Sequence, residues 1–346
     1  MDSKTVVTKE TKNKIRVDYE GKLSFKERII KKIKTSNTWL KAVVNVFRFI
    51  LMLGVSYVII YPFIAKIAGS FMTREDVIDA TVALIPKHFT LEIYQNIIVE
   101  NHYFEAFFST LLLALICALI QTFIACLVGY GLAKFKFKGN KAIMVAVVVT
   151  MIIPHSTLKY AMTEHFTKFD FFTVIGWNYS GPIEAIFGEP LALENTYIPF
   201  IILSVCGLAF KNGLYIYLLR QFFKGVPDEL EESAYVDGSG TLRTFFQIIL
   251  PLAVPMMITV FLFSFSWQWT DEFYTNMFYT SDEIYMMPDI VKVPETLRDP
   301  TFAGMNLYSQ VVQNTAGMMV IAPLIILYLF CQRYLVQGIE RSGLVG

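Results

Sequence analysis

The stretch "ELEESAYVDGSGTLRTFFQIILP", from Glu229 to Pro251, sets four carboxylates within nine residues: Glu229, Glu231, Glu232 and Asp237. Such a group could do acid–base work or dock a partner. No HExxH, paired-carboxylate or nucleophile–base arrangement stands out in the chain, so a membrane enzyme is not expected and no catalytic or metal-binding residue is assigned. Small Ser233 and Ala234 follow Glu232, where a partner backbone could come close, and "TFFQIIL" adds an apolar edge. A central acid, small neighbours and an apolar rim suit a docking knob. The plainer reading is a solvated connector that its charges keep wet. A second constellation is "SFSWQWTDEF", where Trp267, Gln268, Trp269, Asp271 and Glu272 offer aromatic faces for sugar C–H patches and polar groups for hydroxyls. An interfacial aromatic belt would look the same. Gln121, Lys211, Gln313 and Asn314 are polar groups in apolar surroundings. They suit a solute pathway, and for the three amides helix–helix hydrogen bonding is equally open.

These residues have to be positioned by a very apolar chain. Hydrophobic residues make up 55% and charged residues 17% of 346, with a mean hydropathy of +0.50. A soluble domain carries nearer a quarter charged residues. The net charge of +1 points to no nucleic-acid partner. Cys117, Cys126, Cys206 and Cys331 all lie in apolar runs without CxxC spacing, as small packing residues do. The first forty or so residues are polar and basic, so the long apolar run after them is expected to act as an uncleaved signal-anchor.

An all-α integral membrane protein follows. Each crossing needs about 20 apolar residues, and six candidates lie near 43–68, 105–133, 142–163, 195–220, 244–270 and 309–332. Lys211 interrupts the fourth. His155 follows Pro154 inside the third, where a kink is expected. Residues 1–48 hold thirteen Lys/Arg against five Asp/Glu, which places the N-terminus in the cytoplasm. The basic "KFKFKGNK" then falls on the same side, as do the C-terminus and the acidic stretch. The domains expected are a basic extension at 1–42, a first helix with its external loop at 43–104, a five-helix bundle at 105–332 and a tail at 333–346. Within the bundle the acidic loop occupies 227–243. Pro227 suits the first turn of a short helix, Gly238 a left-handed stop, and Ser239 or Thr241 the cap of a second helix.

At these residues the chain resembles a known family. Glu232, Ser233, Ala234, Gly238, Ile248, Leu250 and Pro251 have the spacing of the EAA loop of permease subunits of ATP-binding-cassette importers, with Ser233 in place of the first alanine. "LLRQFFKGVPDELEESAYVDGSG", "LLLALICALIQTFIACLVGYGLAKFKFKG" and "YLVQGIERSGLVG" are similar to the carbohydrate-uptake branch, and most to its maltose-type second permease. The resemblance covers most of 105–346. Leu344 and Val345 alter the usual ending, and the N-terminal extension and "FDFFTVIGWNYSGPIEAIFGEPLALE" depart from the pattern.

The resemblance implies the type I importer permease fold with six transmembrane helices, in a bacterial cytoplasmic membrane. It also implies a second permease subunit as partner, two cytoplasmic ATPase subunits and an external solute-binding protein. A coupling helix formed by Glu232, Ser233, Ala234 and Gly238, with Asp237 and Arg243 beside it, would sit in a groove on the ATPase. The chain has no GxxxxGK[ST] loop, so ATP and Mg are expected on the partner and no cofactor here. A sugar is the expected solute. Glycerol phosphate, a polyol, a secondary transporter and a non-transporting scaffold are the alternatives.

Overall fold

The computed structural model describes residues 7–10, 16–19, 36–170, 181–281 and 283–341. Most of the basic N-terminal extension, residues 171–180 of the departing segment, and the tail from 342, with Leu344 and Val345, lie outside the described residues. The chain divides into two compact units, Met1–Ile67 and Ala68–Gly346. In the first, β1 (Val7–Glu10) pairs antiparallel with β2 (Arg16–Tyr19), Val7 opposite Tyr19. This small ladder belongs to the N-terminal extension, and the membrane part is helical, as expected. Each strand is only four residues long, too short for a period-two pattern to signal it. The first expected span is α1 (Ser36–Gly69), whose apolar side chains are exposed along its length.

The second unit is built on three further long helices. They are α2 (Tyr103–Lys134), α8 (Leu250–Trp269, preceded by a helical run from Thr241) and α9 (Met305–Arg341). Among the described residues four helices are long and apolar enough to cross a membrane, and a bent pair makes a fifth. That pair is α3 (Asn140–Ile152) and α4 (His155–Thr167), which meet at 98°. The kink expected at Pro154 is therefore a full break. Proline pushes the residue before it out of the helical region, and Ile153 sits at φ −66°, ψ 120°. The expected continuous fourth span is also corrected. It divides into α5 (Ile198–Val205) and α6 (Asn212–Lys224), with Gly207 and Lys211 both at positive φ between them.

Between these helices lies a close-packed core. Ala125, Cys126 and Tyr130 of α2 meet Tyr215, Leu219 and Phe223 of α6 and Ala253, Met256 and Val260 of α8. In lipid, helices gain little from burying apolar area against one another, so tight packing of small residues has to hold them. Gly129 is such a residue: a Cβ there would stand 3.0 Å from the backbone N of Arg220. At Gly213 a Cβ would lie 2.7 Å from Thr150 Oγ1 and 2.9 Å from the Val147 carbonyl, so the α3–α6 approach depends on its absence. Cys117 and Cys126 are buried in this interior, whereas Cys206 is exposed at the break in the fourth span.

The entry to α8 is wound more loosely. Phe245–Ile249 forms a single π turn, and the Leu250 N–H reaches back five residues to the Phe245 carbonyl. Pro251 explains it: with no N–H and a ring that crowds the carbonyl four residues back, proline disfavours the tighter register.

Candidate functional site

The acidic stretch forms an elbow between α6 and α8. Its first arm is α7 (Glu229–Val236), with Asp228 as the preceding residue and Glu229, Glu231 and Glu232 in the first turn, where the helix dipole favours negative charge. Pro227 lies two residues before the helix rather than in its first turn, because Asp228 takes the boundary. Gly238 closes the arm at φ +79°, as its type suggests. Its N–H donates to the Tyr235 carbonyl and the Ser239 N–H to that of Ala234, at 3.0 and 2.9 Å. The second arm, Thr241–Thr244, begins after Gly240 without a side-chain cap. The expected capping by Ser239 or Thr241 is thus corrected: Ser239 Oγ instead pairs with Thr244 Oγ1 at 3.1 Å.

What fixes the elbow to the bundle is a cluster that sequence reading did not single out. Lys134, the last residue of α2, has a 6% exposed side chain. Its Nζ donates to the Val226 carbonyl at 2.6 Å and to Asp228 Oδ1 at 2.5 Å, and lies 3.7 Å from Glu231 Oε2. The Tyr130 hydroxyl donates to Glu231 Oε1 at 2.5 Å. The Lys134 ammonium holds the Asp228 carboxyl below the usual carboxylate range. A charge-assisted network of this kind is stiff, and removing one partner strands a buried charge. In the sequence Lys134 reads only as one lysine of a basic loop. Its partners are more than ninety positions away, so no local signal reveals the bond.

The two faces of the elbow differ. Glu232, Ser233, Asp237, Gly238 and Arg243 are exposed, whereas Ala234 is buried within the chain at 5%. Arg243 Nε donates to Gln247 Oε1 at 3.0 Å. Beside the exposed polar residues stand Val236 and Leu242, with Tyr235 and Phe246 partly exposed around them. An exposed apolar patch rimmed by charge is the usual mark of a protein-docking surface.

The second constellation separates. Trp269 is fully buried, its Nε1 donating to the Val320 carbonyl at 2.9 Å. Gln121 is buried as well: Nε2 donates to Ser204 Oγ at 3.1 Å and Oε1 accepts from Ser264 Oγ at 2.7 Å, which ties α2 to α5 and α8. Trp267 and Gln313 are exposed, and Asn314, Gln268 and Asp271 are half-buried. Asp271 Oδ1 accepts from the Tyr274 N–H at 3.3 Å, while Asp271 Oδ2 and Gln268 Nε2 have no protein partner. Trp267 stands against the Phe210 ring and beneath the Lys211 ammonium. His155 bonds through Nδ1 to the Tyr274 hydroxyl.

A set of long apolar helices with an exposed elbow between two of them is the architecture of a multi-pass membrane protein. Comparison with known proteins gives the family. Residues 121–341 match the model of binding-protein-dependent transport system inner membrane components, and the chain belongs to that family. It is a multi-pass inner-membrane permease of an ABC transporter, working with other components of such a system. Among its relatives is the polygalacturonan/rhamnogalacturonan transport system permease protein YtcP of Bacillus subtilis, 26% identical over 87% of this chain and 97% of that protein. Another is AmyC of Thermoanaerobacterium thermosulfurigenes, a probable starch degradation products transport system permease, 27% identical over 81% and 89%. The fold matches a chain in the crystal structure of a bacterial ABC transporter involved in import of the acidic polysaccharide alginate. The TM-score is 0.64 at 18% identity, covering 90% of this chain and 98% of the other.

Proposed function

We propose that this chain is one permease subunit of an ATP-driven importer of oligosaccharides. The observation that carries the coupling half of the proposal is the anchorage of α7 to the end of α2 through Lys134, Glu231 and Tyr130. A lever that is rigidly joined to the spans passes on displacement, whereas a floppy one absorbs it. The exposed face around Glu232, Val236 and Leu242 suits a groove on a separate cytoplasmic ATPase. Two such ATPases, binding ATP and Mg, would close on nucleotide and draw the elbows of this chain and a second permease together. The spans then rock between two packed arrangements, as alternating access requires. An external binding protein delivers the solute, and both termini lie on the elbow's side of the membrane. The chain itself performs no hydrolysis. The relatives named for polygalacturonan/rhamnogalacturonan and for starch degradation products support a carbohydrate as solute.

Rim-type ion pairs at Glu232 are worth at most about 1 kcal/mol, so apolar fit around Val236 and Leu242 dominates docking. The test is co-purification. Val236→Asp with Leu242→Asp should abolish recovery of the ATPase while the permease still inserts and pairs. Full ATPase recovery with that double variant would remove the docking role. Labelling of a Ser239→Cys variant should succeed only from the cytoplasmic side.

A further inference from the structure

Between α8 and α9 the chain runs through residues 270–304, at the end of the bundle away from the elbow. This stretch surrounds a cavity of about 330 Å³, lined among others by Asn276, Ser281, Asp289 and Lys292. Two aromatic walls, Tyr279 and Tyr285, are held in place by other rings. Tyr279 packs on Phe200 with centroids 5.5 Å apart, and Tyr285 stacks on His102 at 4.1 Å. The polar edge is fixed by Asn195, whose Oδ1 accepts from the Thr280 and Ser281 N–H groups at 2.7 and 2.9 Å. Its own N–H donates to the Phe278 carbonyl at 2.8 Å, and its φ of +60° is one that asparagine tolerates. A site braced in this way loses little freedom when a ligand enters.

The bonding capacity that the lining residues leave unused defines the ligand. Among the described residues the Asn276 amide and the Lys292 ammonium, on two exposed residues, have no protein partner. Asp289 uses Oδ2 to accept from the Met286 N–H at 3.0 Å, which leaves Oδ1 free. Ser281 Oγ accepts from the Glu283 N–H at 3.3 Å and keeps its own proton to donate. Donors and acceptors are thus both on offer around one small space. An anion would meet Asp289 there and a cation Lys292, so neither is matched. Neighbouring hydroxyls, each able to donate and to accept, do match, and tyrosine rings suit the C–H face of a sugar. The volume is at the low end of the roughly 300–1,000 Å³ of small-molecule sites, room for one ring. An adjoining groove of about 1010 Å³ shares Tyr279, Ile284 and Tyr285 with the cavity and gives further units a place to run.

We infer that this cavity is a glycan subsite, where Asn276, Asp289 and Lys292 bind the hydroxyls of one hexose ring of the transported oligosaccharide, against Tyr279 and Tyr285. The inference rests on the oligosaccharide-importer reading and adds a place where this subunit itself meets the solute, at the end opposite the elbow. Lys292 donates, Asp289 accepts, and the Asn276 amide does both. An arriving chain is held there by one ring until the spans rock.

The test begins with the assembled importer, its second permease, ATPases and binding protein in proteoliposomes, and with uptake of maltotriose and of trigalacturonate. The trisaccharide taken up is then titrated, by saturation-transfer NMR, onto the permease pair with its ATPases in nanodiscs without the binding protein. Wild type should bind it, and Asn276→Ala with Lys292→Ala should weaken that binding at least tenfold. Both side chains are unpartnered in the structure, so the double variant should insert and assemble normally. With the binding protein restored, the same variant should raise the KM for uptake severalfold, and the affinity of the binding protein for the complex should stay as in wild type. Absence of a wild-type signal, or an equal signal from the variant, would overturn the inference while leaving the oligosaccharide reading intact. So would weaker binding of the binding protein with the glycan signal unchanged, which would make the cavity a protein contact. Uptake of neither glycan, with ATP turnover intact, would overturn both.

Discussion

At the residue scale two positions set how the elbow behaves. Gly238 has open space where a Cβ would stand, so its requirement is conformational rather than steric. Gly238→Val should then abolish solute uptake with normal membrane insertion, because a β-branched residue resists φ +79°. Gly238→Asn should retain much of it, since asparagine tolerates the left-handed region. Retained uptake in the valine variant would remove the coupling role of the turn. Lys134 makes a complementary prediction. Lys134→Met leaves Glu231 buried without a cation, a change costing about 3–5 kcal/mol where the pair is buried. ATP hydrolysis should continue while uptake per ATP drops severalfold, and simultaneous assays of both read that ratio. Asp228 adds a pH signature. Its folded pKa is depressed, so its contribution is complete above the ordinary carboxylate range and is lost only as pH falls through the lower folded value. Asp228→Asn should therefore reduce coupling by a constant factor between about pH 6 and 8. A factor that changes across that range would point to a different titrating group.

At the scale of elements, close approach is what separates glycines that matter from those that do not. Gly213→Ala puts a methyl 2.7 Å from Thr150 Oγ1 and 2.9 Å from a backbone carbonyl, so α3 and α6 have to move apart. Overpacking of this kind typically costs about 1–3 kcal/mol. Gly317→Ala, with nothing within 4 Å, serves as the control and should be neutral. Thermal unfolding in detergent reads both. The same scale shows what the sequence could convey. Long apolar runs specify α1, α2, α8 and α9, because twenty-odd apolar residues have few other uses. Gly238 is legible from its spacing to the surrounding motif. The break between α5 and α6 is only half legible: Lys211 flags it, but the left-handed backbone at a lysine breaks residue preference and is imposed by tertiary packing. The 98° bend exceeds what Pro154 alone predicts, since a proline usually bends a helix less than that. The contact of Tyr130 and Lys134 with Glu231 is invisible for a different reason: it exists only after α2, α6 and α7 have packed.

For the whole molecule the buried amides and the elbow belong to one mechanical path. Gln121 links α2 to α5 and α8 in the interior, and Lys134 links α2 to α7 at its end. α2 is therefore tied both to the elbow and to α5 and α8, while α6 itself runs from the elbow to the break at Lys211. Gln121→Leu should keep the fold, since a buried amide in lipid contributes only about 0.6–2 kcal/mol. It should weaken the dependence of uptake on ATP turnover, as the ratio of sugar moved to phosphate released reports. An unchanged ratio would place the transmission elsewhere.

The loosened turn at Phe245–Ile249 also sets the angular phase of everything beyond it. One extra residue in a turn rotates the following side chains by about 100° relative to an unbroken helix. Ser264 meets Gln121, and Trp269 meets Val320, on the helix that continues from that turn. Replacing Pro251 by alanine removes the local reason for the wide turn, while the buried contacts of Ala253, Met256 and Val260 hold the phase of the helix beyond it. The wide turn at the base of the rod and the packing along it thus together set which side chains its far end presents.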